Sequence, residues 1–193
     1  RPFPCPGTCI YCPDDGRAPK SYLPDEPGVQ RAMDNGFDPY LQTYNRLAAL
    51  DAIGHPTGKV ELIISGGTWS AYPSSYQAGF VSRCLAAMND FGSGVDTRHG
   101  APSTTGQLIE DRDRAAVMDD LVKAQRHNEQ ARSRCVGLTV ETRPDAVTEN
   151  EIVGLRRLGC TRVQLGCQSL SDEVLRRIRR GHTGSRMGPF GPR

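Results

Sequence analysis

Three features are missing from this 193-residue chain, and each absence argues against a class of protein. No apolar run approaches the length of a membrane span, so no membrane partner is expected. No signal-peptide pattern opens the chain, and the cytoplasm is therefore the expected location. The net charge is only +2, too small by itself to indicate a nucleic-acid-binding protein. The remaining composition, 37% hydrophobic and 24% charged, predicts one globular domain with a sizeable core.

A cysteine-rich stretch near the start, Cys5-Pro6-Gly7-Thr8-Cys9-Ile10-Tyr11-Cys12-Pro13, carries the most specific chemistry. Its prolines and glycine exclude a helix and predict a loop. A zinc site normally has four ligands, and no fourth Cys or His follows at a short spacing. A disulfide would leave one odd thiol, whereas Cys9 and Cys12 alone could form a redox pair.

Thiolates are soft ligands, and three at this spacing could bind three corners of a [4Fe–4S] cluster while one iron stays open. A ferredoxin-type cluster would need a fourth cysteine. The other four cysteines fall in apolar segments predicted to be regular, namely Cys84, Cys135, Cys160 and Cys167. From the spacing alone, a three-cysteine cluster, a zinc site and a redox pair all remain open.

Helices alternate with short β-rich runs along the rest of the chain. The apolar pattern and the capping residues predict helices over 38–54, 74–91, 110–131 and 148–159, and one beginning near residue 171. Strands are predicted over 60–65, 135–140 and 161–166, with at most a remnant of a first strand at residues 1–3. Residues 14–30 and 92–106 are predicted to form long irregular segments. This alternation predicts an α/β fold with a parallel sheet.

Polar and glycine residues follow each predicted strand. Gly66 and Gly67 follow the first, Glu141 ends the second, and Gln168 follows the third. Ligands of parallel α/β proteins bind at the C-terminal ends of the strands, so these residues are candidate ligand contacts beside the cysteine loop. The alternatives are a plain tight turn for the glycines, a salt bridge to Arg143 for Glu141 and a loop-capping amide for Gln168.

In its motifs and their order, the chain resembles the radical S-adenosylmethionine (SAM) enzymes, and among them the catalytic subunit of Elongator and its single-chain prokaryotic relatives. The resemblance covers residues 1 to about 183. It is carried by the cysteine loop, Asp38-Pro39-Tyr40-Leu41-Gln42-Thr43, Gly66-Gly67-Thr68, Glu141-Thr142-Arg143-Pro144-Asp145, Gln168-Ser169 and Arg180-Gly181-His182-Thr183.

The resemblance implies roles for the candidate residues. Cys5, Cys9 and Cys12 would hold a [4Fe–4S] cluster, and SAM would chelate its open iron before cleavage to a 5′-deoxyadenosyl radical. Strand-end residues would contact SAM, and these are Gly66, Gly67, Glu141 and Gln168. The substrate implied is the wobble uridine of tRNA, which would receive a carboxymethyl-type group at C5 from acetyl-CoA. Acetyl-CoA would bind a separate acetyltransferase domain further along the whole protein.

The resemblance also implies a fold, a partial radical SAM (β/α) barrel that is truncated at both ends. Residues 1–183 would form the radical SAM core, and residues 184–193, rich in Gly and Pro, an irregular tail. Such a fragment is expected to be inactive alone. Alternative functions are a methylthiotransferase or coproporphyrinogen-oxidase-like radical SAM enzyme, and a non-catalytic, metal-stabilised nucleic-acid-binding module.

A basic cluster late in the chain has two interpretations. Its pattern favours a solvated helix face, with a contact to a phosphate backbone as the alternative. The cluster consists of Arg176, Arg177, Arg179, Arg180, Arg186 and Arg193.

Overall fold

A computed structural model describes residues 2–96, 98 and 113–184. The predicted tail beyond residue 184, most of the predicted insertion over 92–106 and the start of the predicted helix over 110–131 lie outside these described residues. The chain divides into two compact units. Of the described residues, the first comprises those within 1–26, 63–72 and 139–193, and the second those within 27–62 and 73–138.

The described residues contain six α-helices and three strands. The helices are α1 (Pro27–Asp34), α2 (Pro39–Ala52), α3 (Ser74–Ser93), α4 (Arg114–Asn128), α5 (Glu149–Arg157) and α6 (Asp172–Arg177). The strands are β1 (Lys59–Ile64), β2 (Arg134–Thr142) and β3 (Arg162–Leu165). Short 3₁₀ turns follow β1 and β2, at Trp69–Ala71 and Pro144–Ala146.

The strands form one parallel sheet in the order β1-β2-β3. In the β2–β3 pair, Thr139 lies opposite Arg162 and Thr142 lies opposite Leu165. Helix α5 connects these two parallel strands, as a parallel crossover requires. The prediction of an α/β fold with parallel strands is therefore confirmed.

The start of α2 follows the sequence prediction closely. The side chain of Asp38 accepts hydrogen bonds from the backbone N–H groups of Tyr40 (2.7 Å) and Leu41 (3.2 Å), and Pro39 occupies the first turn. Arg83 pairs with the same carboxylate at 2.8 Å. Tyr40 and Tyr44 are buried and pack together in the core of the second unit, as the helical spacing predicts.

Side-chain caps also set the starts of the helices in the first unit. Thr148 Oγ1 accepts a hydrogen bond from the Glu151 N–H at 3.2 Å, and α5 begins immediately after it. Ser171 caps α6 in the same way through the Val174 N–H. Because both caps come only a few residues after a strand ends, the strand-end loops are short and well defined.

Two predictions about the start of the chain are wrong. Residues 14–30 are not irregular throughout, because α1 begins at Pro27, a residue whose fixed φ suits the first turn of a helix. Pro2 and Phe3 form no strand. Phe3 instead stacks on Tyr72, with 4.4 Å between the ring centroids. Among the described helices, none is long and apolar enough to cross a membrane.

Candidate functional site

The cysteine loop contacts residues that follow β1, β2 and α6, and Arg180 after α6 links the loop to the end of β3 through the Gly166 carbonyl. Cys5 Sγ is 3.4 Å from Thr68 Oγ1, which follows β1. Cys9 Sγ accepts hydrogen bonds from Arg143, immediately after β2, and from Arg180, after α6, both at 3.5 Å. A backbone hydrogen bond from the Ile10 N–H to the Ile178 carbonyl (3.3 Å) ties the loop to the end of α6. The loop therefore lies at the C-terminal edge of the sheet, as predicted.

The side chain of Arg143 contacts the cysteine loop at Cys9 Sγ. Its guanidinium is buried, forms two hydrogen bonds to the Asp145 carboxylate (2.7 and 2.9 Å) and donates to the Arg180 carbonyl. Burial raises the pKa of the Asp145 carboxyl, but the hydrogen bonds and charge of Arg143 outweigh it and hold that pKa below its ordinary value. A side chain at Gly7 would collide with this guanidinium, so the loop requires glycine there.

Arg180 brings a second buried guanidinium to the same sulfur. It also donates to the Gly166 carbonyl at the end of β3, and its Nε has no hydrogen-bond partner among the described residues. Burial raises the pKa of the Cys9 thiol, but Arg180 and Arg143 outweigh burial through hydrogen bonds and positive charge, so that pKa lies below its ordinary value. The prediction of a solvated helix face is wrong for Arg180, which is 6% exposed.

These two arginines carry more positive charge than the nearby protein carboxylates neutralise. Arg143 pairs with Asp145, whereas Arg180 has no carboxylate partner within the part of the chain that the structure describes. Two buried cations beside one sulfur repel each other, and negative charge between them offsets that repulsion. The site therefore favours a thiolate at Cys9 and an anionic ligand.

Three of the remaining cysteines, Cys84, Cys135 and Cys160, are poor candidates for metal ligands. Burial raises the pKa of Cys84 to about 12 and also raises the pKa values of Cys135 and Cys160. Their thiols donate to backbone carbonyls of Pro39, Gly137 and Arg162 respectively. All seven cysteines of the chain are free.

The prediction that all four of these other cysteines lie in helices or strands is only half right. Cys84 lies in α3 and Cys135 in β2. Cys160 precedes β3, and Cys167 follows it in the strand-end loop. Strand β3 pairs with β2 only from Arg162 to Leu165, so both cysteines lie outside it.

The three thiols of this loop are soft donors, the ligand type that an iron–sulfur cluster takes. Among the described residues, no group of three or more Cys, His, Asp or Glu side chains converges closely enough to hold one ion. A cubane cluster does not need that convergence, since each cysteine binds a different iron. A cluster with three thiolates carries net negative charge, which the guanidinium groups of Arg143 and Arg180 would balance.

Gly66 and Gly67 adopt backbone conformations that other residues rarely take, with φ values of +140° and +56°. A Cβ at Gly66 would lie 3.8 Å from Pro19, and one at Gly67 would lie 3.5 Å from the Lys20 carbonyl oxygen. The segment after the cysteine loop therefore packs over the end of β1. These glycines are required by their backbone conformation, which leaves peptide groups accessible beside the loop.

Glu141 has a protein partner that sequence reasoning missed. Its Oε2 accepts a hydrogen bond from the Tyr22 hydroxyl at 2.8 Å. Burial raises the pKa of Tyr22 to about 12, and the bond to Glu141 adds to the effect. A salt bridge between Glu141 and Arg143, the alternative considered from the sequence, does not form, because Arg143 pairs with Asp145.

Gln168 lies in the exposed loop after β3, where its φ of +69° is unusual for a residue with a side chain. A Cβ at Gly166 would lie 3.2 Å from Gln168 Nε2 and 3.1 Å from an Arg180 nitrogen. The amide of Gln168 thus lies beside the Arg180 guanidinium. Backbone strain in non-glycine residues is commonly found at functional sites, and Ser21 and Arg179 share it here.

A three-cysteine loop at the C-terminal edge of a parallel α/β sheet is the arrangement of enzymes that bind SAM at an iron–sulfur cluster. The family model described as "Radical SAM superfamily" matches residues 4–187, and the chain belongs to that superfamily. Membership implies SAM and a [4Fe–4S] cluster as cofactors.

Several curated proteins are similar over most of this chain. A "tRNA uridine(34) acetyltransferase" of Methanocaldococcus jannaschii is 43% identical over 94% of the chain and 30% of its own length. The protein of that name from Dehalococcoides mccartyi is 40% identical over 94% of the chain and 34% of its length. "Elongator complex protein 3" of Schizosaccharomyces pombe is 34% identical over 95% of the chain and 31% of its length.

A solved structure shares the fold. It is the Methanocaldococcus infernus Elp3 with an N-terminal deletion, which is 41% identical, with a TM-score of 0.63 over 79% of this chain and 30% of that one. The chain therefore spans about a third of the length of the proteins it matches.

Proposed function

We propose that Cys5, Cys9 and Cys12 hold a [4Fe–4S] cluster and that SAM binds its open iron. The observation that carries this proposal is the contact of the cysteine loop with residues after β1, β2 and α6, with two buried arginines at Cys9 Sγ. When bound, the cluster supplies the single electron that cleaves SAM. The protein favours the charged thiolate at Cys9, holds the loop on the sheet edge and leaves the fourth iron without a cysteine.

The residues proposed to contact SAM line the same edge. Gly66 and Gly67 would let the SAM amino group approach strand-end backbone, since neither has a side chain. Glu141, held by Tyr22, would accept a hydrogen bond from a ribose hydroxyl or lie near the sulfonium. Gln168 would donate or accept through its amide. The proposed core, residues 1–183, contains all of these groups, and residues 184–193 are proposed to form an irregular tail.

Replacing Glu141 or Gln168 with Ala is expected to weaken SAM binding without removing the cluster. Each change removes one hydrogen bond to a polar ligand, which costs about 1–3 kcal/mol, so affinity falls roughly tenfold or more. Calorimetry on the reconstituted protein measures the affinity, and iron content reports the cluster. The Tyr22→Phe variant is a useful comparison, since it keeps the Glu141 carboxylate but removes the hydroxyl group that donates a hydrogen bond to it. Unchanged SAM affinity in both alanine variants contradicts the assignment.

The substrate proposed for the whole protein is the wobble uridine of tRNA. The relatives named tRNA uridine(34) acetyltransferase support this proposal, since they are 40–43% identical to the chain. Acetyl-CoA is proposed as the acyl donor, bound by an acetyltransferase domain of the whole protein, and the modification as a carboxymethyl-type group at C5. A cytoplasmic location fits a tRNA substrate and remains a prediction.

The exposed arginines at the end of α6 and just after it support a contact with RNA beside the cysteine loop. Arg176, Arg177 and Arg179 are exposed, and no ion pair occupies them in the described part of the chain. Arg179 stands between Ile178, which accepts a hydrogen bond from the cysteine loop, and Arg180, which binds Cys9. Guanidinium groups placed this close to the site suit the phosphates that flank a target uridine.

The backbone at Arg179 indicates that its side chain serves a purpose. Its φ is +54°, the left-handed conformation in which glycine normally ends a helix. A residue other than glycine in this conformation lowers the stability of the fold by about 1 kcal/mol. We expect Arg179→Gly to keep or raise stability while weakening tRNA binding several-fold and flattening its salt dependence.

Titrating labelled tRNA at several salt concentrations measures this effect, and urea unfolding measures stability. The matched control is Lys123→Ala, which removes one exposed positive charge from α4 in the second unit. Equal weakening in both variants would indicate a loss of general charge attraction rather than a contact at Arg179. Full tRNA affinity in Arg179→Gly would contradict the contact.

The proposed function is tested by anaerobic reconstitution with iron and sulfide, followed by addition of SAM and dithionite. A [4Fe–4S] EPR signal on reduction and release of methionine with 5′-deoxyadenosine support it. Zinc uptake without an iron cluster would favour a metal-stabilised binding module instead. For the whole protein, mass spectrometry of nucleosides after incubation with tRNA, SAM, acetyl-CoA and dithionite tests the substrate. Methylthiolated products would favour the methylthiotransferase alternative.

A further inference from the structure

Each sulfur of the cysteine loop has its own polar side-chain partner. The two arginines contact Cys9, as described above. Ser21 Oγ donates a hydrogen bond to Cys12 Sγ at 3.1 Å, and Thr68 Oγ1 lies 3.4 Å from Cys5 Sγ. These hydroxyl groups come from different parts of the chain, one from the segment after the loop and one from the end of β1. Neither is a residue that the family motifs or the sequence pattern singled out for a sulfur contact.

Ser21 is held in an unfavourable backbone conformation that directs its hydroxyl to Cys12. Its φ is +85°, a region that favours glycine, and its N–H donates to the Pro13 carbonyl at 3.0 Å. Ser21 is exposed, so packing of its side chain does not account for a residue other than glycine. The bond to sulfur is the hydrogen bond that its side chain makes among the described residues.

The hydroxyl group of Thr68 is the corresponding hydrogen-bond partner of Cys5 Sγ. It precedes the 3₁₀ turn Trp69–Ala71, yet its side chain makes no capping hydrogen bond to that turn. It is 4% exposed, and a buried hydroxyl normally has a partner. The Cys5 sulfur is that partner, and a thiolate there can only accept, so Thr68 would be the donor in the metal-bound protein.

We infer that Ser21 and Thr68 tune the cluster's reduction potential by donating hydrogen bonds to the Cys12 and Cys5 thiolates. The inference rests on the proposed function, since it needs these cysteines to be cluster ligands. Hydrogen bonds to the sulfurs are among the factors that set the potential of an iron–sulfur cluster. They stabilise the reduced form most, because that form places more negative charge on its ligands. Both hydroxyls therefore raise the potential and make one-electron reduction easier.

The test measures the midpoint potential of the reconstituted protein, with dithionite as the electron donor and EPR as the readout. Thr68→Val removes the hydroxyl at nearly constant shape, and Ser21→Gly removes it at a φ that glycine prefers. Each variant is expected to shift the reduction equilibrium roughly fivefold to tenfold against reduction, which is about 40–60 mV at 59 mV per decade. Thr68→Ser keeps the hydroxyl and is expected to restore the potential.

Two comparisons separate hydrogen bonding from a structural effect. Ser21→Ala and Ser21→Gly both lack the hydroxyl, so their potentials are expected to match, although glycine relieves backbone strain and raises stability. Thr139→Val changes a buried threonine of β2 with no sulfur contact and is expected to leave the potential unchanged. Wild-type potentials in Thr68→Val and Ser21→Gly overturn the inference. Failure of the wild-type protein to form any [4Fe–4S] cluster would instead overturn the proposed function.

Discussion

Replacing Cys9 with Ala is expected to abolish the EPR signal of the reduced [4Fe–4S] cluster. Cys9 is the central cysteine of the loop, is 7% exposed and accepts hydrogen bonds from both Arg143 and Arg180. Without it, only two cysteines would remain for the cluster, and two buried guanidinium groups would lose the anion they face. Even changes beside a metal ligand lower metal affinity about 10–100-fold, so loss of a ligand is expected to exceed that.

The matched control for this experiment is Cys84→Ala. Cys84 is fully buried in α3, and burial raises its pKa to about 12, which keeps the thiol protonated at neutral pH. Its removal is expected to lower stability slightly and to leave the cluster signal intact. Iron and sulfide analysis alongside EPR separates an absent cluster from one in another oxidation state. An undiminished signal in Cys9→Ala would refute the three-cysteine assignment.

The second large effect is expected for Arg143→Met. This change leaves the Asp145 carboxylate without the arginine that pairs with it. It also removes one hydrogen bond to Cys9 Sγ and one to the Arg180 carbonyl. Breaking a buried ion pair by removing one member costs about 3–5 kcal/mol, and the Asp145 side chain is 35% exposed, so about 3 kcal/mol is expected. Urea unfolding of the metal-free protein measures this loss independently of the cluster.

The Arg143–Asp145 pair also makes a specific prediction about pH. Despite the opposing effect of burial, Arg143 holds the folded-state pKa of Asp145 below its ordinary value of 3.8. The pair therefore stabilises the fold fully above that value, and its contribution disappears as the pH falls through the folded-state pKa. Arg143→Met is expected to lose stability near neutral pH and to show a smaller further loss on acidification. The same acid dependence in wild-type and Arg143→Met proteins would contradict this role.

Local residue chemistry was sufficient to predict most of the helices. Asp38 before Pro39, Thr148 before Glu149 and Ser171 before Asp172 all serve as the caps that their residue types predict. A cap works through hydrogen bonds within a few residues, so the chain alone contains the necessary information. Helix α1 is not predicted, because the residues around its start are rich in Pro, Gly and Asp, which favour irregular structure. Pro27, a residue type suited to the first turn of a helix, is too weak an indication on its own.

Part of the candidate site comes from residues close together in the sequence, and part comes from residues far apart in it. The loop with Cys5, Cys9 and Cys12 is visible in the sequence because the three thiols are close along the chain. The two arginines at Cys9 are not, since Arg143 and Arg180 lie 134 and 171 residues away from it. The basic cluster containing Arg180 was predicted to face solvent, and only the fold buries this one member.

By itself, the sequence determined the parallel α/β class, the cysteine loop and the strand ends that would meet it, because periodicity and short motifs act over a few residues. The tertiary structure decided which groups balance the thiolates, which partner Glu141 takes and which hydroxyls reach the sulfurs. Those choices depend on side chains from distant segments competing for the same atoms. Glu141 could pair with Arg143 or accept a hydrogen bond from Tyr22, and only the fold brings the Tyr22 hydroxyl to Glu141, while Arg143 pairs with Asp145.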